Sequence, residues 1–237
     1  MIEEQKDDSG SVSLPFGKQT VVGSTVILGD CVAGMIEYPD KYFDLAVVDV
    51  PYGIGMSVET SAASFKSEKW KTAKPKGYKA KEWDNKVPDK IYFDELIRIS
   101  KNQIVWGANH FISMIPIDSP CWLVWDKKNG DNNFADCELA LTSFKTAVRK
   151  FEWLWNGFQK QRPEERIHQT QKPVALYDWI FINYAKKGDK ILDTHLGSGS
   201  SRIAADKAGL DFTGYENDID HYNDQKNVLS STSHSYE

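Results

Sequence analysis

The stretch that most limits the possible folds is Leu45-Ala46-Val47-Val48, which is apolar at every position and then stops at Asp49-Val50-Pro51-Tyr52. A strand with one wet face alternates apolar and polar residues. A run without alternation suits a strand covered on both faces, as in the parallel sheets of α/β proteins. Residues 44–48 are therefore predicted as such a strand. Pro51 cannot continue it and biases Val50 toward an extended backbone. A carboxylate, a directed carbonyl and an aromatic ring thus collect at the carboxyl end of a strand. That is the edge at which open α/β sheets bind ligands.

The trio suits one kind of chemistry. An exocyclic amino group on a nucleobase is a poor nucleophile, because its lone pair is delocalised into the ring. Two acceptors on its two N–H bonds favour the pyramidal form that can attack. The Asp49 carboxylate and the Val50 carbonyl are two such acceptors, and Tyr52 offers a face for a flat base. An ordinary strand-to-loop turn with a helix-capping aspartate would use the same residues, so the remainder of the chain has to decide.

At 237 residues, 41% hydrophobic and 27% charged, the chain suits one α/β domain of ordinary size. Its apolar runs are far shorter than the ~20 residues of a membrane span. The first ten residues are acidic and polar, unlike a secretory signal. Cys31, Cys121 and Cys137 are isolated and odd in number, without metal-ligand spacing, which fits free thiols in a reducing cytoplasm and no metal. The net charge of −5 means that binding to DNA would rest on a local basic surface.

Taken in order, residues 1–20 read as a flexible arm and residues 21–28 as a strand. The strand enters Gly29-Asp30-Cys31, where Asp30 is either the N-cap of a helix over 32–38 or a carboxylate accepting from an adenine amino group; the two roles are compatible. Residues 53–90 carry nine lysines against five acids, interleaved with Phe65, Trp70, Tyr78 and Trp83. This basic insertion reads as a lid for phosphates and bases, with a solvated loop as the alternative. Residues 91–100 form an amphipathic helix, and a strand over 103–106 ends near Asn109 and His110, which either line a pocket or form a plain turn. Further strands are predicted over 121–125, 137–144 and 150–155, followed by a short variable segment at 156–167. His168-Gln169-Thr170-Gln171-Lys172-Pro173 opens a helix over 174–184. A strand over 190–192 runs into Asp193-Thr194-His195-Leu196-Gly197-Ser198-Gly199, then a helix over 202–208 and a strand over 212–215 ending at Glu216-Asn217. Glycines in such a turn let the backbone approach a ligand, and an acid about 20 residues on suits a ribose. His195 is read as a core or capping histidine before a ligand contact. Residues 229–237 form a flexible tail, leaving 21–228 as the domain.

Four blocks together resemble the DNA amino-methyltransferases that use S-adenosylmethionine. GDCVAGMIEYPDKYFDLAVVDVPYG resembles the family's D-P-P-Y region, and HQTQKPVAL its H-P-T-Q-K-P-x-x-L block. ILDTHLGSGSSRIAADKAG resembles its D-P-F-x-G-S-G-T-x-x-x-A block, and FTGYEND its ribose-binding strand end. The order resembles the permuted group, phage or bacterial, in which the catalytic motif precedes the cofactor motif. The resemblance implies a Rossmann-like, circularly permuted α/β fold, with a mostly parallel seven-stranded sheet and helices on both faces. It implies that Asp49, Val50, Pro51 and Tyr52 hold the flipped target base. It implies that S-adenosylmethionine is held by Asp30, Cys31, His168, Thr170, Gln171, Lys172, Asp193, Leu196, Gly197, Ser198, Gly199, Glu216 and Asn217, leaving as S-adenosylhomocysteine. DNA is the implied partner, with a homodimer allowed. Asp at position 49 tilts the reading toward N6 of adenine over N4 of cytosine. Val50 departs from the family's first proline, yet a backbone carbonyl survives the change, so activity is expected to be reduced or normal, not absent. A catalytically weakened DNA- or cofactor-binding homologue is the alternative that Val50 raises. A nicotinamide dehydrogenase would explain the G-x-G turn but neither Asp49–Tyr52 nor the HQTQKP block.

Overall fold

The computed structural model describes residues 17–21, 23–53, 87–129, 135–155 and 171–228. Most of the expected lid, the segment at 156–167, the tail, and His168 and Thr170 lie outside the described residues.

The strand around Asp49 is β3, Phe43–Asp49, and it is buried along nearly its whole length. Its side chains split between two cores. Leu45 and Val47 face a cluster with Leu176, Ile180, Phe181, Ala204 and Ala205. Phe43, Ala46 and Val48 face a second cluster with Met35, Tyr92, Phe93, Leu96 and Ile99. Helices α1 (Cys31–Ile36) and α2 (Lys90–Ile99) therefore cover one face, and α3 (Val174–Tyr184) and α4 (Ser200–Lys207) the other. Each fully buried aliphatic or phenyl side chain stabilises this sandwich by about 1.5–3 kcal/mol. That two-sided burial is the physical source of the non-alternating sequence.

The other strands are β1 (Gly17–Val21), β2 (Ser24–Leu28), β4 (Ser100–Trp106), β5 (Trp122–Asp126), β6 (Cys137–Thr142), β7 (Arg149–Glu152), β8 (Lys190–Asp193) and β9 (Asp211–Glu216). Their order across one sheet is β1-β2-β9-β8-β3-β4-β6-β5-β7. The five strands β2, β9, β8, β3 and β4 run parallel, while β6 is antiparallel to both of its neighbours. The last two strands of the chain thus lie between strands that precede them, and the G-x-G turn comes to rest beside β3.

Two expectations are corrected. The sheet has nine strands among the described residues instead of seven. One extra strand comes from the presumed flexible arm: Gly17–Val21 pairs antiparallel with β2, Gly17 opposite Leu28 and Val21 opposite Ser24. A polar sequence suffices there because an edge strand needs partners on one side only. The strand expected over 150–155 is β7, which lines up parallel to β5 at the opposite edge. A last helix, α5 (Ile219–Val228), carried no apolar periodicity and was not anticipated. It starts where the Asp218 carboxylate accepts from the amides of Asp220 (2.9 Å) and His221 (3.2 Å).

Candidate active site

Parallel strands end together, so the sheet carries one functional rim. Register aligns Leu28 with Glu216, Asp193 with Gly214, and Asp49 with Trp106. The turns after β2, β9, β8, β3 and β4 all open on this edge. It brings Asp30, Glu216, Asp193 and Asp49 into one row from segments far apart in the chain.

At the cofactor-like end, the turn after β8 is held by its own acid. Asp193 accepts from the His195 amide (3.0 Å) and from the Ser201 hydroxyl (2.5 Å). Burial pushes its carboxyl up to about 6. Gly197 and Gly199 have φ of 51° and 76°, a region in which glycine is at home. The Leu196 amide donates to the Tyr215 carbonyl, tying the turn to β9 at 2.9 Å. Glu216 accepts from the Gly197 amide (3.0 Å) and the Asp218 amide (2.9 Å), and burial raises its carboxyl to about 7. Ser198 shares a hydrogen bond with Ser200 at 3.0 Å. Asp30 caps α1 by accepting from the Ala33 amide at 2.8 Å, and Cys31 is the first residue of that helix. Burial, with Asp30 adding to it, raises the Cys31 thiol to about 12, so it stays protonated. Asn217 is exposed on the rim. His195 shares a hydrogen bond with Thr194 (2.9 Å), stands edge-on to Tyr92, and is held near 4 by burial, so it is neutral.

Sequence reasoning missed Gln225 on α5. Its amide donates to the Gly197 carbonyl at 2.9 Å, and its Oε1 would lie only 2.4 Å from a Cβ on Gly199. Alanine at 199 would fill the space that Gln225 occupies behind the turn. The backbone cradle, the Glu216 carboxylate and the capped α1 form a donor and acceptor set that fits a nucleoside with a short charged chain.

At the catalytic end, the Asp49 carboxylate is fully engaged. Oδ1 accepts from the Tyr52 hydroxyl at 2.8 Å, and Oδ2 pairs with the Lys172 ammonium at 2.6 Å. Lys172 is 4% exposed and also reaches Glu138 at 3.0 Å and the Tyr52 hydroxyl at 3.2 Å. Burial pushes Asp49 up, against the pull of Lys172. Burial alone would lower Lys172, but Asp49 and Glu138 outweigh it and raise it. Burial would likewise raise Glu138, but Lys172 and Lys127 hold its carboxyl down at about 2. Lys172 is anchored through its neighbour, since the Trp155 indole donates to the Gln171 carbonyl at 2.9 Å. Val50 is buried in the second core cluster, and Pro51 and Tyr52 are half-buried at the rim.

The Tyr52 ring lies against His110, with centroids 5.0 Å apart and planes at 16°. His110 therefore lies beside the site, on a 3-10 turn after β4, and both it and Asn109 are exposed. Gly107 makes room for the ring: its φ is 71°, and a Cβ there would sit 2.0 Å from a Tyr52 ring carbon.

The chain is similar to proteins of known sequence and structure. Residues 125–227 match the family model described as DNA methylase. The type II methyltransferase M.HinfI of Haemophilus influenzae is 24% identical, over 81% of this chain and 64% of its own length. The chain thus spans somewhat less than two thirds of that relative. Among solved structures, the complex of M1.HpyAVI with SAM superposes with a TM-score of 0.51 at 19% identity, covering 86% of this chain and 98% of that one. The cytosine-N4-specific PvuII DNA methyltransferase superposes with a TM-score of 0.54 at 10% identity, covering 91% and 97%. These likenesses are to the fold.

Proposed function

We propose that this chain, a member of the S-adenosylmethionine-dependent DNA amino-methyltransferase family, transfers a methyl group to N6 of a flipped adenine in DNA. The observation that carries the reading is the shared rim: the Asp49 carboxylate ends a strand adjacent to the one that ends in the Asp193–Gly199 turn, with Glu216 one strand further on. The cofactor supplies an electrophilic sulfonium methyl and leaves as S-adenosylhomocysteine. The protein does the rest. Glu216 accepts from the ribose hydroxyls, Asp30 from the adenine ring's amino group, and the Gly197–Gly199 backbone lets the methionine portion lie close. Asp49 and the Val50 carbonyl accept the two N–H bonds of the target amine. With the cofactor bound, these two acceptors would turn the nitrogen lone pair toward the donor methyl, and Asp49 or solvent would take the proton that the amine gives up. For this to happen the Tyr52 hydroxyl must release Asp49 Oδ1, so that the Tyr52 ring becomes a stacking face for the base. His168 and Thr170 complete the reading only by their place in the sequence motif.

N4 of cytosine is the second reading, favoured by the likeness to the PvuII enzyme. Incubation of DNA with purified protein and labelled cofactor, followed by mass spectrometry of the nucleosides, distinguishes them. N6-methyladenine is expected. N4-methylcytosine alone would replace adenine with cytosine, and binding of cofactor without methylation of any base would leave a binding homologue.

Cofactor affinity is expected to fall with acidity. Free Glu216 is raised to about 7, so below that pH it carries a proton that must leave before the carboxylate can accept from two hydroxyls. Between pH 8 and pH 6 the Kd should rise about tenfold, with proton release on binding at the lower pH. Calorimetry in buffers of different ionisation enthalpy measures both, and a Kd flat across this range would remove Glu216 from the contact.

A further inference from the structure

The antiparallel strand β6 reaches the functional rim with its beginning. Its Ala140 lies opposite Trp106, the last residue of β4, so Glu138 extends past the end of β4 toward Asp49. Lys127 follows Asp126, which pairs with Cys137, and it meets Glu138 Oε1 at 2.5 Å. The Lys172 ammonium pairs with Asp49 at 2.6 Å and with Glu138 at 3.0 Å, and it donates to the Tyr52 oxygen at 3.2 Å. Four alternating charges, Lys127, Glu138, Lys172 and Asp49, therefore run in from the rim of β5 to the candidate catalytic acid. They sum to zero, as a desolvated cluster requires.

We propose that Glu138 is a positioning residue that shares the Lys172 ammonium with Asp49, and that Lys127 sets the size of that share. The proposal rests on the reading of Asp49 as the acceptor of the target amine. Asp49 needs its charge to polarise an N–H bond, and an undivided ammonium at 2.6 Å would occupy that charge. Glu138 draws part of the ammonium away, and Lys127 limits how much. The other titratable groups bearing on Asp49 are Tyr52, Asp193 on β8 and Tyr177 on α3, and none of them belongs to this chain of charges.

The two outer residues should then act in opposite directions. In Glu138→Gln the shape and an acceptor remain while the charge goes, so Lys172 pairs with Asp49 alone. Asp49 should titrate lower by about one pH unit. In Lys127→Met, Glu138 claims more of Lys172, and Asp49 should titrate higher. The test is 13C NMR of the full chain with labelled aspartate, the Asp49 signal being assigned by its loss in Asp49→Asn. The acid limb of the pH–kcat profile should move the same way as the carboxyl in each variant, and the plateau of Glu138→Gln should fall about tenfold. Should Glu138→Gln not fold, the charge-balanced double variant Lys127→Met/Glu138→Gln takes its place, with the same downward shift expected. Shifts in a common direction, or an unmoved Asp49 in a folded variant, overturn the proposal. The two readings fail separately: a wild-type protein that methylates no DNA removes the catalytic reading, whereas the NMR titration judges the sharing of charge without any activity.

Discussion

Asp49→Ala is expected to lower kcat for methyl transfer about a hundredfold while leaving the Kd for S-adenosylmethionine within about threefold. The carboxylate is the charged member of the acceptor pair for the target amine, and a hydrogen bond to a charged group contributes about 1.5–3 kcal/mol. Asp49→Ala removes one such bond, the Val50 carbonyl being left in place, and at roughly 3 kcal/mol that is about two powers of ten in rate. The fold should persist, because Lys172 keeps Glu138 as its partner when Asp49 is removed. Cofactor binding should persist because the Gly197–Gly199 turn and Glu216 hold each other without help from β3. Single-turnover transfer and calorimetry on the same sample check the two halves. A variant within tenfold of wild type would move the chemistry away from Asp49.

Lys172→Met is expected to act first on stability, with a loss of about 3–5 kcal/mol at pH 8. Methionine nearly matches the stem but leaves Asp49 with no cation, while Glu138 keeps Lys127. An uncompensated carboxylate in a buried place is raised further above its ordinary value. A raised carboxyl destabilises the fold progressively as pH climbs above that ordinary value, because the unfolded chain ionises there while the folded one resists. The stability lost should therefore shrink as pH is lowered from 8 toward 5. Urea unfolding at the two pH values measures this, and a loss below about 1 kcal/mol at pH 8 would show that Lys172 is dispensable to the cluster.

The asymmetry between these two variants comes from the position of Lys172 at the centre of the chain of charges. Removing Asp49 from the end leaves Lys172 with Glu138, whereas removing Lys172 leaves Asp49 without a counter-ion. Tyr52 completes the same cluster. Its hydroxyl satisfies the remaining Asp49 oxygen, and its ring stacks on His110.

The sequence by itself determined the α/β class with its doubly covered parallel strands and four of the acids on the rim. Asp30, Asp49, Asp193 and Glu216 each follow a local apolar run, and strand ends are written locally. The two-sided burial of β3, the left-handed Gly197 and Gly199, and the start of α3 after Pro173 are also local matters of side-chain pattern and allowed φ. What only the tertiary structure decided is which side chains meet. Glu138 opens an antiparallel strand instead of ending a parallel one, so its arrival at the rim depends on its register against β4. Gln225 lies on a helix without apolar periodicity, and its bond to Gly197 exists because α5 folds back behind the turn. Lys172 reads in sequence as one residue of a cofactor motif, yet it is bonded to the candidate catalytic acid across 123 positions of chain. Burial patterns and turn geometry are carried by neighbours in the chain, while charge pairing depends on distances that packing alone creates.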